Sequence, residues 1–259
     1  MAPYKDLRSF ATLRRIIARL RGPRGCPWDR KQTPQTLRTS FLEESYEVLA
    51  AIEQDNPEDL RDELGDLLLH ITLQAQIAAE AGRFTMEDVF EHINAKLIHR
   101  HPHVFGAAGA QSVDQIVANW EVLKAEERPE AKSLLASVPA EMPALARSQS
   151  IQRRVAGVGF DWPTDEGVME KLSEEIGELA RAPTLQEKEK EFGDVLFTLA
   201  NLARRWDIDL EAALRGTNGR FTSRFMHMEE LARRRNLELA ALSLADKDDL
   251  WDEAKEAVG

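Results

Sequence analysis

The chain has 259 residues, 43% of them hydrophobic and 31% charged, with a formal net charge of −11 and a single cysteine, Cys26. That balance excludes a disordered chain, the lone thiol excludes an internal disulfide, and the acidic charge argues against duplex nucleic acid, whose binders carry a basic stripe. No apolar run reaches the roughly 18 residues of a membrane span: the longest, Leu67 to Ala79, is broken by His70, Gln74 and Gln76. The opening Met1–Asp6 lacks the apolar centre of a signal peptide, so a cytoplasmic location is expected, with neither membrane nor nucleic acid as partner.

Along the chain, Leu7, Phe10, Leu13, Ile16, Ile17 and Leu20 recur at the three-to-four spacing of one buried helical face. Phe41, Leu42, Tyr46, Val48, Leu49 and Ile52 predict a further helix. A turn through Asp55 then leads to Asn56-Pro57-Glu58-Asp59, which offers an N-cap, a proline at the first helical position and acids in the first turn. Ser112-Val113-Asp114-Gln115 and Thr184-Leu185-Gln186-Glu187 match the capping box. Alternating strand patterns are scarce. The pattern predicts an all-α fold of ten or so helices with little or no sheet.

The most informative feature is an internal repeat. Glu43-Glu44-x-x-Glu47 recurs 131 residues later as Glu174-Glu175-x-x-Glu178. Glu63-x-Gly65-Asp66 recurs after 128 residues as Glu191-x-Gly193-Asp194. Asn94-x-Lys96-Leu97-x-x-Arg100 recurs after 124 as Asn218-x-Arg220-Phe221-x-x-Arg224, and Trp120-x-x-x-Lys124 after 131 as Trp251-x-x-x-Lys255. Even Trp28 and Trp162 correspond loosely. The motif order is kept and the offsets change between motifs, where loops absorb them. The chain therefore reads as a tandem repeat of one helical unit: residues 1–128, a connector rich in Pro, Ala and Ser at 129–143, and residues 144–259.

Residues three or four apart share a helix face. Glu44 and Glu47 project together with Glu43 beside them, and Glu63 and Asp66 do likewise from the next helix. Two helices joined by a short turn pack antiparallel, so the acids can face each other. The same holds for Glu174, Glu175, Glu178, Glu191 and Asp194, with Pro183 in the turn. Two carboxylates about 4 Å apart repel by about 4 kcal/mol at an effective dielectric of about 20. Such a cluster needs protons or cations, and hard oxygens select hard cations, above all Mg²⁺ with Mn²⁺ as the alternative. Mg²⁺ commonly joins a few carboxylates to substrate phosphates, which points to a nucleoside triphosphate. Gly65 and Gly193, costly at mid-helix, suggest close helix approach beside the metal. A di-iron bundle is excluded, because it needs Glu-x-x-His pairs and no histidine follows a glutamate at that spacing.

Cations recur in step with the acids. Lys96 with Arg100, Arg220 with Arg224, and Lys124 and Lys255 four residues after tryptophans suit phosphate capture. Trp120 and Trp251 read equally as base-stacking platforms or as core residues. The alternating His99, His101 and His103 read as an irregular turn rather than a zinc site.

Together with Gly25-Cys26-Pro27-Trp28-Asp29, Arg100-His101-Pro102-His103-Val104-Phe105 and Val158-Gly159-Phe160-Asp161-Trp162, these motifs resemble the two-domain MazG proteins over nearly the whole chain. The resemblance implies four-helix-bundle-like sites assembled in a homodimer, and Mg²⁺-dependent hydrolysis of nucleoside triphosphates to nucleoside monophosphate and pyrophosphate, a house-cleaning role. It implies that the C-terminal repeat is the main catalytic unit. Glu175, Glu178, Glu191 and Asp194 would hold the metal, Glu174 would orient or deprotonate the attacking water, and Lys171, Arg220, Arg224, Trp251 and Lys255 would hold the nucleotide. The N-terminal counterparts are Glu44, Glu47, Glu63 and Asp66, with Glu43 as helper. One departure stands out: Arg220 replaces a lysine usual in the family, and Gly219 before it loosens that helix. Two other readings share the acidic pattern: a narrower dUTP, dCTP or phosphoribosyl-ATP pyrophosphatase, and a non-enzymatic helical dimer that binds a metal or a partner protein.

Overall fold

The computed structural model describes residues 6–106, 109, 112, 115, 116, 119, 123 and 133–258. Trp120, Lys124 and two residues of the capping box expected at Ser112, Val113 and Asp114, lie outside them. The chain divides into two compact units, residues 1–112 and 113–259. Among the described residues there is no strand, as an all-α reading requires. Among the described residues no helix is long and apolar enough to cross a membrane.

Unit 1 contains α1 (Phe10–Arg21), α2 (Pro27–Lys31), α3 (Arg38–Glu53), α4 (Pro57–Glu80), α5 (Met86–Arg100) and the single turn α6 (Pro102–Phe105). The expected start at Asn56 is realised: its side chain accepts from the backbone N–H of Glu58 and Asp59, at 3.1 and 3.3 Å. Asp55 takes φ +50°, which reverses the chain and lays α4 back along α3. Ile17, Leu37 and Leu73 are buried together, with Leu13, Leu69 and Ile77 packed against them. That cluster seals α1 onto one side of the α3–α4 hairpin, and burial of each large aliphatic side chain contributes roughly 1.5–3 kcal/mol. Arg21 ties the same layer electrostatically: it pairs with Glu80 at 2.7 Å and donates to the carbonyls of Asp29 and Gln32. Gly25 is needed between α1 and α2, because a Cβ there would lie 1.9 Å from the Leu20 carbonyl oxygen.

Unit 2 contains α7 (Ala144–Ala156), α8 (Asp165–Arg181), α9 (Leu185–Arg205), α10 (Leu210–Arg234), a 3₁₀ turn (Leu239–Ala241) and α11 (Leu244–Val258). Thr184 and Glu187 form the expected reciprocal capping box at the start of α9. The α8–α9 hairpin corresponds to α3–α4. Gln152 of α7, 3% exposed, donates to the Phe197 carbonyl at 2.6 Å. Gln149 donates to the Ile208 carbonyl and accepts from the Leu210 N–H, clamping the turn into α10. At the same end of α9, Arg204 and Arg205 reach Asp161 and Asp165 at 2.6 and 2.5 Å, pinning the segment before α8 to it. A second apolar cluster, Met228, Ala232, Leu250 and Ala254, joins α10 to α11. Helix α10 runs unbroken through Gly219.

Candidate active site

In unit 2, Glu175 and Glu178 lie on one face of α8 and Glu191 faces them from α9. One ligand oxygen from each lies within 4.8 Å of the others. Glu175 is buried, 5% exposed, and Glu191 Oε2 is buried with no hydrogen-bond partner. Two lysines supply positive charge. Lys171 Nζ lies 2.7 Å from Glu175 and 3.0 Å from Glu174. Lys190 Nζ lies 2.8 Å from Glu191 and 3.3 Å from Asp194. The carboxylates of Glu175 and Glu174 hold the Lys171 ammonium above its ordinary range, and those of Glu191 and Asp194 do the same for Lys190.

In unit 1, Glu44, Glu63 and Asp66 bring ligand oxygens together within the same 4.8 Å. Burial, followed by the charges of Asp66 and Glu47, pushes the Glu44 carboxyl up. Burial, followed by Glu47 and Asp66, raises Glu63. The expected fourth acid of each set therefore adjoins its cluster without completing it: Glu47 acts through its charge, and Asp194 is linked through Lys190. Glu43 and Glu174, the expected water-handling residues, are both exposed at the cluster edge.

Both donor sets fit a hard divalent cation. Each gathers carboxylate oxygens at ligand spacing, one leaves a buried oxygen without a partner, and the lysines of unit 2 already stand where positive charge is wanted.

The cations expected to grip phosphate are placed differently. Lys96 and Arg100 lie half-buried on α5. Arg220 donates to Thr217 on its own helix, Lys255 pairs with Asp252 on its own helix at 2.6 Å, and Arg224 has its Nε buried with no partner. Trp251 packs beside the α10–α11 core and against the Phe221 ring, with centroids 5.0 Å apart. Core packing therefore accounts for much of that tryptophan. Gly65 and Gly193 depart from expectation: a Cβ on either would meet nothing within 4 Å, so among the described residues no helix of the same unit approaches them.

Sequence reading missed two residues. Lys190 occupies the place of Asp62 in the repeat register, and His70, beside Glu44, occupies the place of Thr198. Both differ between the copies, and a search for shared motifs passes over such positions.

The family model for the MazG nucleotide pyrophosphohydrolase domain matches residues 32–105, the α3–α4 hairpin and its flanks. Over 247 residues the chain is 44% identical to the nucleoside triphosphate pyrophosphohydrolase/pyrophosphatase MazG of Thermotoga maritima, covering 95% of each protein. It is 43% identical over 248 residues to the nucleoside triphosphate pyrophosphohydrolase of Escherichia coli K12, covering 93% of this chain and 94% of that protein. It is also 46% identical over 252 residues to the uncharacterized protein YabN of Bacillus subtilis, where the similarity spans 52% of the longer protein. With matched acid clusters in both units and similarity over nearly the full length of two such relatives, the chain belongs to the MazG nucleotide pyrophosphohydrolase family.

Proposed function

We propose that the protein hydrolyses nucleoside triphosphates to nucleoside monophosphate and pyrophosphate, with Mg²⁺ as the working ion and Mn²⁺ as a substitute. The observation that carries this reading is the cluster of three carboxylates, built twice from one hairpin design. A divalent cation in that donor set supplies charge for the phosphate oxygens and eases deprotonation of water. The protein's own groups do the rest. Glu175, Glu178 and Glu191 fix the position of positive charge, with Asp194 at its margin. Glu174, exposed and next to Glu175, is placed to accept a proton from the attacking water. Lys171 and Lys190 leave the acids for the triphosphate, where they absorb charge on the departing pyrophosphate. Arg220, Arg224 and Lys255 add to that grip, and the free face of Trp251 carries the base. Glu43, Glu44, Glu47, Glu63, Asp66, Lys96 and Arg100 form the corresponding set in unit 1, and unit 2 is the main catalytic site.

The active form is a homodimer. The hairpins that carry the acids also expose Leu42, Tyr46, Leu64, Leu68, Phe192 and Leu196, apolar surface that a second copy would cover while completing a four-helix arrangement. The cytoplasm, which holds nucleoside triphosphates and Mg²⁺ together, is the compartment this activity fits.

The test is steady-state pyrophosphate release from a panel of nucleoside triphosphates with Mg²⁺, for the wild type, Glu178→Gln and Asp194→Asn. Each variant is expected to lose roughly 100-fold or more, the size of effect that single electrostatic groups supply, with an unchanged helical spectrum. Near-wild-type rates in both would refute a catalytic site in unit 2.

A further inference from the structure

His70 is a buried polar residue beside the unit 1 acids that takes no part in the chemistry above. It lies on α4 one turn beyond Asp66 and is 7% exposed. Its Nε2 stands 3.9 Å from Glu44 Oε1. Its Nδ1 is buried with no hydrogen-bond partner. The Phe41 ring meets the imidazole edge-on, with centroids 6.1 Å apart and planes at 83°, so the ring is held in place by packing. A proton on Nδ1 would be a buried donor with no acceptor, a costly arrangement. The favoured tautomer therefore carries its proton on Nε2, the nitrogen that faces Glu44.

Unit 2 is built otherwise. The repeat register puts Thr198 at this place, and Glu175 is held instead by Lys171. The counterpart of Lys171 in unit 1 is Ser40. Each unit thus has one donor behind the central glutamate of its cluster, an ammonium in one and an imidazole in the other.

We propose that His70 is the positioning residue of the unit 1 cluster: its Nε2–H holds the Glu44 carboxylate in the orientation that, with Glu63 and Asp66, receives a divalent cation. The proposal rests on the metal reading given above. A nitrogen–oxygen hydrogen bond spans about 3 Å, so the contact closes by about 1 Å when it forms. Donors that orient ligating carboxylates behave this way, and their loss typically weakens metal binding by 10–100-fold.

The experiment uses the full chain carrying Glu178→Gln and Glu191→Gln, so that unit 1 is the remaining cluster. Mn²⁺ binding is followed by the electron paramagnetic resonance of the free ion, and folding by circular dichroism. Adding His70→Leu is expected to weaken Mn²⁺ binding by about 10–100-fold. His70→Gln, which keeps a neutral N–H donor, is expected to restore it to within about threefold. His70→Thr, the residue unit 2 carries, is expected to behave like His70→Leu and serves if the leucine variant misfolds. Unchanged affinity in the leucine and threonine variants overturns the proposal, as does a glutamine variant no better than leucine, since His70 would then only pack. Absence of Mn²⁺ binding in the parent chain, before any change at His70, refutes the metal reading of unit 1 and this proposal with it.

Discussion

In the α8–α9 hairpin, Lys171 and Lys190 bring ammonium groups within 2.7–3.3 Å of Glu174, Glu175, Glu191 and Asp194. The α3–α4 hairpin carries the same acids, yet Ser40 and Asp62 stand at the matching places. There burial, and after it the charges of the neighbouring acids, raise the Glu44 and Glu63 carboxyls. The copies share acids and differ in counter-charge. A cluster that holds lysines accepts a metal only as they withdraw, and a triphosphate gives them somewhere to go. A cluster without them accepts a metal on its own but offers fewer hands to the phosphates. Acid motifs alone would have scored the two sites as equal.

The sharpest way to break this contrast is to disable the two sites in parallel. Glu191→Gln is expected to lower pyrophosphate release by roughly 100-fold or more. Glu63→Gln, the same change in unit 1, is expected to lower it by no more than about threefold. Equal losses would mean that the lysines do not set the working site apart.

Metal binding without nucleotide gives the next largest effect, in the opposite direction. Lys171→Ser, which copies unit 1, is expected to tighten Mn²⁺ binding at unit 2 about tenfold while turnover falls, because Glu175 is buried and its ion pair is poorly screened. Lys190→Asp is expected to tighten it by only about threefold, since that lysine side chain is 69% exposed. The check is calorimetric titration of each variant beside its turnover. Weaker metal binding in Lys171→Ser would show that the lysine supports the ion rather than competing with it.

Acid response separates by sign the acid cluster of unit 1 from the ion pairs at the end of α9. The Asp161 carboxyl is pushed up by burial but held lower on balance by Arg204, and Arg205 lowers Asp165. Depressed carboxyls contribute stability above their unfolded value of 3.8, and that stability is lost as pH falls through the lower folded values. Glu44 and Glu63 are raised, so their contribution is fully present below the unfolded value of 4.5 and is lost as pH rises through the folded values. Hydrogen exchange in chelator, corrected for intrinsic rates, is therefore expected to show α4 gaining protection as pH is lowered from neutral toward about 4.5. Helix α9 should hold its protection until pH falls below about 4 and then lose it. Parallel behaviour of α4 and α9 would remove the electrostatic distinction.

Local chemistry made much of this legible in the sequence. Asn56, Thr184 and the prolines near helix starts act on their own backbone, so the expected N-termini appear where the residues are. The acids lie on one face because helical spacing puts them there, whatever the rest of the chain does. Which helices meet is a different matter. Periodicity placed Arg220 and Arg224 together, but it could not decide whether α10 brings them to the acids or spends that face on Phe221 and Trp251. His70 escaped because it matters through a contact across the hairpin, and Lys190, whose partners lie on its own helix, because the copies disagree at that position.

The glycines give the smallest effect. Gly65 and Gly193 precede the cluster aspartates, and their cost in a helix suggested a close neighbour, yet a Cβ on either meets nothing within 4 Å. Within one chain, then, Gly65→Ala and Gly193→Ala remove a helix penalty of about 1 kcal/mol and introduce no clash. Each is expected to raise the melting temperature by roughly 2–4 °C and to leave Mn²⁺ binding unchanged. Thermal melts at several protein concentrations make this result decisive for the proposed dimer as well. If a second copy lays a helix across either glycine, the added methyl groups would push the copies apart. The alanine variants would then melt lower, and their melting would become more dependent on concentration. A rise at both positions would place the dimer contact elsewhere on the hairpin, on the exposed leucines rather than beside the acids. A fall at one position and a rise at the other would mean that the two hairpins, alike in sequence, meet their partners by different faces.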